Sequence, residues 1–286
     1  MIPFREITPD DAPIVRRYAM ANHIPNCDLC FANIYGWQPL YQTRMAEWRG
    51  WLLFSFMAGR HPAFMMPLND GHEECKIEEV FEELRKQSYP HPLLVMGMTQ
   101  EEADRFGQEH WQPNYDDYIY DRASLESLSG KRLQPKRNHA NRFDSEYPEA
   151  RLCPLEHIDE CLAFASLWGL SEEMDMMRRV LPLRDKLDIR GLELWVGDRL
   201  VAFAFGAPID ENCFDVMVEK ADRDFEGAYA VINREFVKSL PPQYTLINRE
   251  EDLGIEGLRH AKMSYHPVER LHKYNVWEKV KPADEH

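Results

Sequence analysis

Residues 192–206 have the sequence LELWVGDRLVAFAFG, in which two apolar runs flank the dipeptide Gly197-Asp198. A two-residue Gly-Asp connection between alternating apolar runs is typical of a β-hairpin. We therefore predict strands at 192–196 and 199–207, with a third antiparallel strand at 213–219. These strands form the centre of a sheet in the C-terminal half of the chain.

The segments around this hairpin alternate between strand and helix patterns. Helical spacing of apolar residues favours helices at 157–167, 174–187, 228–240 and 255–263, and short apolar runs favour strands at 150–153, 244–248 and 271–277. The N-terminal half has nearly the same order of strand, helices, two strands, helix, strand, helix and strand. The predicted fold class is therefore α/β with α+β mixed sheets, in two similar domains, residues 1–148 and 149–286.

Composition restricts the partners of the chain. Of its 286 residues, 44% are hydrophobic, which is enough to bury a substantial core. The net charge of −15 repels DNA, RNA and anionic lipid on average, so we expect no stable DNA binding. No apolar run reaches transmembrane length and no signal-peptide pattern is present, so we expect a cytoplasmic protein without a transmembrane segment.

Cys27 and Cys30 form an isolated CxxC motif in the segment CDLCFANIYGW, which we predict to be an aromatic-rich helix. A zinc site of the usual kind needs a second cysteine pair, or histidines at matching spacing, and the sequence has neither. We expect buried thiols here and no metal site, with metal or redox chemistry as the alternative.

Residues 131–142, KRLQPKRNHANR, contain five basic residues and no acid. Pro135 suits the first turn of a helix, and a basic turn that opens a helix can bind a phosphate or carboxylate. Lys136, Arg137 and Asn138 are therefore candidates for anion binding. The alternative is a solvated face that pairs with the acids of the protein itself.

Residues 247–267 begin at the end of a predicted strand, where ligand sites of α/β sheets gather. Six polar residues make this segment a candidate site: Asn248, Arg249, Glu250, Asp252, Lys262 and Tyr265. Pairing, helix capping and packing are the structural alternatives for them. Sequence motifs of serine hydrolases, P-loop nucleotide-binding proteins and zinc proteases do not occur in the chain.

A third, weaker candidate is the turn at 222–229, DRDFEGAY, which leads into a predicted helix. A glycine-bearing turn at a helix N-terminus can hold a phosphate, and the candidates here are Arg223, Gly227, Ala228 and Tyr229. The acids of this turn would repel a pyrophosphate.

Three segments carry a resemblance to a known family: the hairpin at 192–206, YDDYIYDRASLESLSGKRLQPKRN at 115–138, and NREEDLGIEGLRHAKMSYHP at 248–267. They resemble the bacterial family related to the C-terminal domain of phosphatidylglycerol lysyltransferase. The resemblance implies two tandem GNAT-like acyltransferase domains. In such domains an opening between two central strands admits the acyl donor.

The resemblance also bears on the donor. The usual pyrophosphate turn of GNAT enzymes follows Gln/Arg-x-x-Gly-x-Gly/Ala, whereas this chain has Asp224, Gly227 and Tyr229 at the three defined positions. Only the glycine matches, so acyl-CoA is one possible donor and aminoacyl-tRNA, used by relatives without this turn, is the other. Lysyltransferases also carry a transmembrane domain that is not found here, so a phospholipid acceptor is not implied.

The leading functional hypothesis is an acyl- or aminoacyltransferase that acts on an amine or hydroxyl acceptor. Glu219 and Glu250 are candidates for the general base, and Tyr265 for the acid that protonates the leaving group. The donor phosphates are assigned to the cationic candidates Lys136, Arg137, Arg249 and Lys262. The alternative is a catalytically inactive GNAT-fold protein that binds an anionic metabolite or RNA.

Overall fold

The computed structural model of the chain describes residues 1–106 and 108–277. These residues form two compact units, each built on one mixed sheet. The first unit contains residues 1–24, 37–116 and 272–277, and the second contains residues 25–36 and 117–271. The mixed α/β architecture is the one that the sequence predicts.

The first unit has an eight-stranded sheet with the order β1-β2-β3-β4-β6-β15-β7, in which β5 pairs with β3. Its elements are β1 (Arg5–Glu6), α1 (Ala12–Asn22), β2 (Arg44–Trp48), β3 (Trp51–Ala58), β4 (His61–Met65), β5 (Leu68–Asn69), α3 (Ile77–Ser88), β6 (Leu94–Met98), α4 (Gln100–Phe106), β7 (Gln108–Trp111) and β15 (Tyr274–Trp277). Helix α2 (Phe31–Tyr41) contributes its first six residues to the second unit and the rest to the first.

The second unit has a seven-stranded sheet with the order β14-β8-β13-β12-β11-β10-β9. Its elements are β8 (Asp117–Asp121), α5 (Arg122–Ser127), α6 (Gln134–Glu146), β9 (Arg151–Pro154), α7 (Ile158–Ala165), α8 (Ser171–Val180), α9 (Arg184–Leu187), β10 (Arg190–Val196), β11 (Arg199–Pro208), β12 (Cys213–Ala221), α10 (Ala228–Ser239), β13 (Leu246–Asn248), α11 (Glu256–Met263) and β14 (Glu269–Leu271). The hairpin of β10 and β11 turns at Gly197, as predicted.

The two sheets repeat one topology and exchange one strand each. In the first sheet, β15 from the end of the chain lies between β6 and β7; in the second, β8 from the middle of the chain lies between β13 and β14. Each repeat therefore supplies a strand to the sheet of the other. For this reason the compact units do not divide at residue 148, the boundary proposed from element order, since that order carries no information about strand pairing.

Apolar faces of helices close both cores. In the first unit, Val80, Phe81 and Leu84 form the buried stripe of α3, as their helical spacing predicts, and the ring of Phe81 stacks on that of Phe106 at 4.3 Å. In the second unit, α10 buries Val231, Ile232, Phe236 and Val237 against the sheet. Strand β11 is buried from Leu200 to Pro208, as expected for an interior strand between β10 and β12.

Several local predictions were wrong. The predicted helix at 174–187 is interrupted after Val180, because Pro182 lacks the N–H that would continue the helix. Cys27 lies in a 3₁₀ turn and Cys30 directly precedes α2, so the CxxC motif is not helical. Strands β2 and β7 were missed.

No helix in the described ranges is long and apolar enough to cross a membrane.

Candidate functional site

The second sheet opens between its two parallel strands. Strands β12 and β13 pair only at Cys213↔Leu246, Phe214↔Ile247 and Asp215↔Asn248, although β12 continues to Ala221. Beyond this last pair, β13 ends and the chain stays hydrogen-bonded to β8 at Tyr118, whereas β12 continues, so the sheet opens between them. Side chains of the later part of β12 and of the segment after Asn248 line this opening.

A β-bulge in β12 lies at the start of the opening. Ala207 of β11 pairs with Asp215, and Phe205 pairs with Val218. An advance of two residues along β11 therefore corresponds to an advance of three residues along β12, which contains one extra residue. Gly206 lies between them, and a Cβ atom there would be 1.8 Å from the carbonyl oxygen of Asp215, so only glycine fits. Since side chains alternate along a strand, the extra residue turns Asp215 and Glu219 to opposite faces of the sheet.

Glu219 lies on the face covered by α6 and α10. It accepts hydrogen bonds from Arg249 Nη2 at 2.9 Å and from Asn233 Nδ2 at 2.8 Å. The guanidinium of Arg249 lies 4.7 Å from the ring centre of Tyr265 and 5.5 Å from that of Tyr120. The ammonium of Lys136 makes a second cation–π contact with Tyr265 and lies 4.4 Å from the centre of that ring. We call this group the aromatic cluster; its members are Tyr120, Lys136, Glu219, Asn233, Arg249 and Tyr265.

Burial sets the electrostatics of the aromatic cluster. Burial, followed by repulsion from Arg249, lowers the pKa of Lys136. Burial raises the pKa of Tyr120 and of Tyr265, so both phenols keep their protons at neutral pH. Arg249 Nη1 is buried and has no hydrogen-bond partner among the described residues. The cluster thus combines two cations with one carboxylate and has a donor available for an anion.

A second polar group lies on the opposite face. Asn33 Nδ2 donates to Asp215 at 2.7 Å and to Glu250 at 2.8 Å. Asp117 accepts from the backbone N–H of Cys27 at 2.8 Å and from Asn248 at 2.7 Å. We call this group the acidic cluster; its members are Cys27, Asn33, Asp117, Asp215, Asn248, Glu250 and Glu251.

Carboxyl groups outnumber cationic groups in and around the acidic cluster. Burial, followed by repulsion from Glu250, raises the pKa of Asp215 well above its ordinary value. Burial and then the charge of Glu251 raise the pKa of Glu250 to about 8. The buried ammonium of Lys262 donates to the backbone carbonyls of Arg249 and Glu251, and burial lowers its pKa. The Lys262 ammonium therefore interacts with three carboxyl groups, those of Asp117, Glu250 and Glu251.

The turn before α10 packs against helix α6. Gly227 has φ of +93°, and a Cβ atom there would be 2.2 Å from the carbonyl oxygen of His139 in α6. Arg142 of α6 pairs with Glu226 of the turn at 2.5 Å, so part of the basic segment does pair with acids of the protein itself. Ala228 is buried as the first residue of α10, Arg223 is exposed, and Tyr229 is partly buried, which raises its pKa.

The residues singled out from sequence fall into three groups. Glu219, Arg249, Tyr265 and Lys136 meet in the aromatic cluster, whereas Asn248 and Glu250 lie in the acidic cluster beside Lys262. The remaining polar candidates lie in neither. Arg137 donates to the carbonyl of Leu128, which caps α5, and to that of Gly130. Asp252 pairs with Arg259 at 2.7 Å, and Asn138 and Arg223 are exposed.

Sequence reasoning missed Tyr120 and Asn233 of the aromatic cluster and four members of the acidic cluster, Asn33, Asp117, Asp215 and Glu251. Asp117 and Tyr120 belong to β8, whose insertion into the second sheet follows no local pattern. Asp215 offered a usable signal, since a carboxylate in the middle of a predicted buried strand needs a partner.

Comparisons with known proteins agree with this geometry. The family model described as phosphatidylglycerol lysyltransferase, C-terminal, matches residues 23–277. The crystal structure of a conserved protein of unknown function from Bacteroides thetaiotaomicron VPI-5482 is 39% identical, with a TM-score of 0.92, over 98% of this chain and 100% of that one. The fold is thus shared along the whole chain.

One solved structure and one curated protein show lower sequence identity to the chain. A tandem GNAT protein from the clavulanic acid biosynthesis pathway has a TM-score of 0.50 at 11% identity, covering 98% of this chain and 100% of that one. It shares the fold alone, and it confirms the predicted tandem GNAT-like architecture. An uncharacterised protein of Mycoplasmoides gallisepticum is 24% identical over 170 residues, 56% of this chain. The match spans 55% of the length of that curated relative.

Proposed function

We propose that this chain, which belongs to the family of phosphatidylglycerol lysyltransferase C-terminal domains, is an acyl- or aminoacyltransferase with its reaction centre in the opening between β12 and β13. The observation that carries this proposal is the aromatic cluster. It places the buried Glu219–Arg249 pair, a second cation and two phenols at the point where the parallel strands separate.

The cations of the aromatic cluster suit a donor with phosphate or carboxyl groups. Arg249 uses Nη2 for Glu219 and keeps Nη1 available. Lys136 is held over Tyr265 in a half-buried position, where its charge is less screened than in water. Together they form a binding site for the anionic part of a donor, with Arg249 as the anchoring residue.

We assign the role of general base to Glu219, since it shares the cluster with Lys136 and Tyr265, whereas Glu250 faces the opposite side of the sheet. In this scheme the nitrogen of the acceptor amine attacks the acyl carbonyl and its proton passes to the Glu219 carboxylate. The bond from the acyl carbon to the leaving oxygen or sulfur breaks. Tyr265, which keeps its proton because of burial, supplies a proton to that leaving group.

The turn before α10 supports a donor other than an acyl-CoA. The turn is packed against His139 at Gly227, and the acids Asp222, Asp224 and Glu226 surround it. A pyrophosphate would meet repulsion there without a glycine-rich backbone to hold it. We therefore propose aminoacyl-tRNA as the preferred donor and acyl-CoA as the second choice.

Binding and transfer assays with two matched variants test the proposal. Purified protein is given acetyl-CoA, longer acyl-CoA esters or charged tRNA, with an amine acceptor, and both binding and loss of the donor ester are measured. Lys136→Met is expected to weaken donor binding about tenfold or more, the effect of losing roughly 1.4 kcal/mol. Lys131→Met is the control, because it removes the same charge from an exposed position.

The outcomes separate two functions. Donor-dependent transfer that is impaired in Lys136→Met and intact in Lys131→Met supports the transferase. Binding without turnover, with the same variant dependence, supports a non-catalytic protein that holds an anionic metabolite, which the altered turn before α10 also allows. Equal effects of both variants would remove the aromatic cluster from either role.

A further inference from the structure

The acidic cluster contains a set of metal-ligating side chains that the proposed transferase chemistry does not use. The thiol of Cys27 lies beside the carboxyl groups of Asp117 and Glu251, and one ligand atom from each lies within 4.8 Å of the other two. We propose that these three residues bind a divalent transition-metal ion of the zinc type. This inference is independent of the proposed function.

The distances fit a tetrahedral ion. Cys27 Sγ lies 3.3 Å from Asp117 Oδ1 and 3.7 Å from Glu251 Oε1, and its single thiol proton is donated to one of these oxygens at a time. With zinc–sulfur and zinc–oxygen bonds of about 2.3 and 2.1 Å, tetrahedral geometry places a sulfur and an oxygen ligand about 3.6 Å apart. An ion can therefore replace the thiol proton with little movement of the three side chains.

Unsatisfied oxygens point independently to a cation. Asn33 is 7% exposed and Asp215 is fully buried, yet Asn33 Oδ1 and Asp215 Oδ1 have no hydrogen-bond partner in the described part of the chain. The Asn33 amide nitrogen also contacts the backbone carbonyl of Cys27 at 3.5 Å and donates to Asp215 at 2.7 Å, so both residues are linked by hydrogen bonds to the residue that supplies the thiol. Buried oxygens of this kind are normally hydrogen-bonded or coordinated.

Charge and ligand type select the metal. A thiolate and two carboxylates carry three negative charges, which a divalent ion and the nearby ammonium of Lys262 balance. Thiolate ligands favour zinc and similar transition ions, whereas magnesium and calcium prefer oxygen alone. The ion would join segments that are 90 and 224 residues apart in sequence, because Cys27 precedes α2, Asp117 begins β8 and Glu251 follows β13.

Cobalt and zinc titrations of the whole chain test the site. Protein purified under non-chelating reducing conditions is freed of metal, and Co²⁺ is added while thiolate-to-cobalt absorption is recorded; Zn²⁺ affinity is then measured by competition. One ion per chain with thiolate absorption is expected. Cys27→Ser should lower Zn²⁺ affinity at least 100-fold, since even loss of a supporting residue costs about 10–100-fold.

Cys30→Ser is the matched control, because Cys30 is the other cysteine of the motif and its Sγ contacts the carbonyl of Ala207 and the carboxyl group of Asp215, neither of which is a proposed ligand. This variant should keep both the absorption and the affinity. Circular dichroism of each metal-free variant establishes that it is folded, and Glu251→Gln, at a half-buried position, is a second ligand variant with the same expected loss. Absence of thiolate absorption in the unmodified protein, or equal losses in Cys27→Ser and Cys30→Ser, would overturn the proposal.

Discussion

Both sheets contain a pair of parallel strands that separate early, and the two openings differ in chemistry. In the first unit, β4 and β6 pair at Phe64↔Val95 and end at Met65↔Met96. In the second unit, the last pair of β12 and β13 is Asp215↔Asn248. The same structural position is thus occupied by two methionines in one repeat and by a carboxyl and an amide in the other.

The difference continues beyond these pairs. Met66, Leu68 and Met98, which follow in the first unit, are buried hydrophobic residues that contribute to its core or sheet. In the second unit, Glu219 and Arg249 occupy the opening instead. The comparison indicates that the repeated fold provides two openings and that the second one carries the polar chemistry. Because a buried charged side chain needs a partner, the charged residues of the second opening occur together as a group.

The largest expected effect comes from breaking the buried ion pair of the second opening. Glu219→Ala leaves the Arg249 guanidinium beside Lys136 without a carboxylate, so we expect a loss of about 3–5 kcal/mol in the free energy of unfolding, measured with denaturant. The double variant Glu219→Gln/Arg249→Met removes both charges and should recover most of this loss. A loss below about 1 kcal/mol in Glu219→Ala would indicate that water screens the pair.

The next effect compares the turns that lead into the two corresponding helices. Gly227→Ala places a Cβ atom against the carbonyl of His139 at positive φ, so we expect a loss of about 2–4 kcal/mol in the free energy of unfolding. Gly71→Ala, in the turn before α3, also has positive φ but meets no atom within 4 Å, so a loss of about 1–2 kcal/mol is expected. Equal losses in thermal or denaturant unfolding would mean that α6 does not pack closely on the turn.

A third effect concerns pH and the acidic cluster. The pKa of Asp215 is raised in the folded state, so above the unfolded value of about 3.9 the folded protein keeps a proton that the unfolded chain loses. Stability therefore falls as pH rises, by at most about 1.4 kcal/mol per pH unit for this group. Asp215→Asn should show a shallower loss between pH 5 and pH 8, measured by denaturant unfolding in chelating buffer. Parallel profiles for the two proteins would contradict the assignment.

The smallest expected effect on stability comes from Lys136. Burial lowers the pKa of its ammonium, so the charge contributes little to folding, and Lys136→Met should change the free energy of unfolding by no more than about 0.5 kcal/mol. Lys131→Met, at an exposed position, should do the same. A large loss confined to Lys136→Met would assign this residue a structural role and weaken its part in donor binding.

Residue type and local spacing are sufficient to predict the local elements and the class of fold. The Gly197-Asp198 turn, the stripe of α3 and the order of strands and helices follow from residue type and spacing, which act over a few neighbours. The candidates Glu219, Arg249 and Tyr265 were also accessible, because polar residues at strand ends stand out from an apolar background.

The assignment of strands to sheets, and the polar residues that come into contact, are visible only in the folded structure. The exchange of β8 and β15 brings Asp117 and Tyr120 into the second unit, and no local pattern encodes pairing over such distances. The bulge in β12 turns Asp215 and Glu219 to opposite faces, although their spacing of four predicts one face in a regular strand. Strand pairing and bulges depend on contacts between distant segments, so the division into an aromatic and an acidic cluster emerges only in the folded chain.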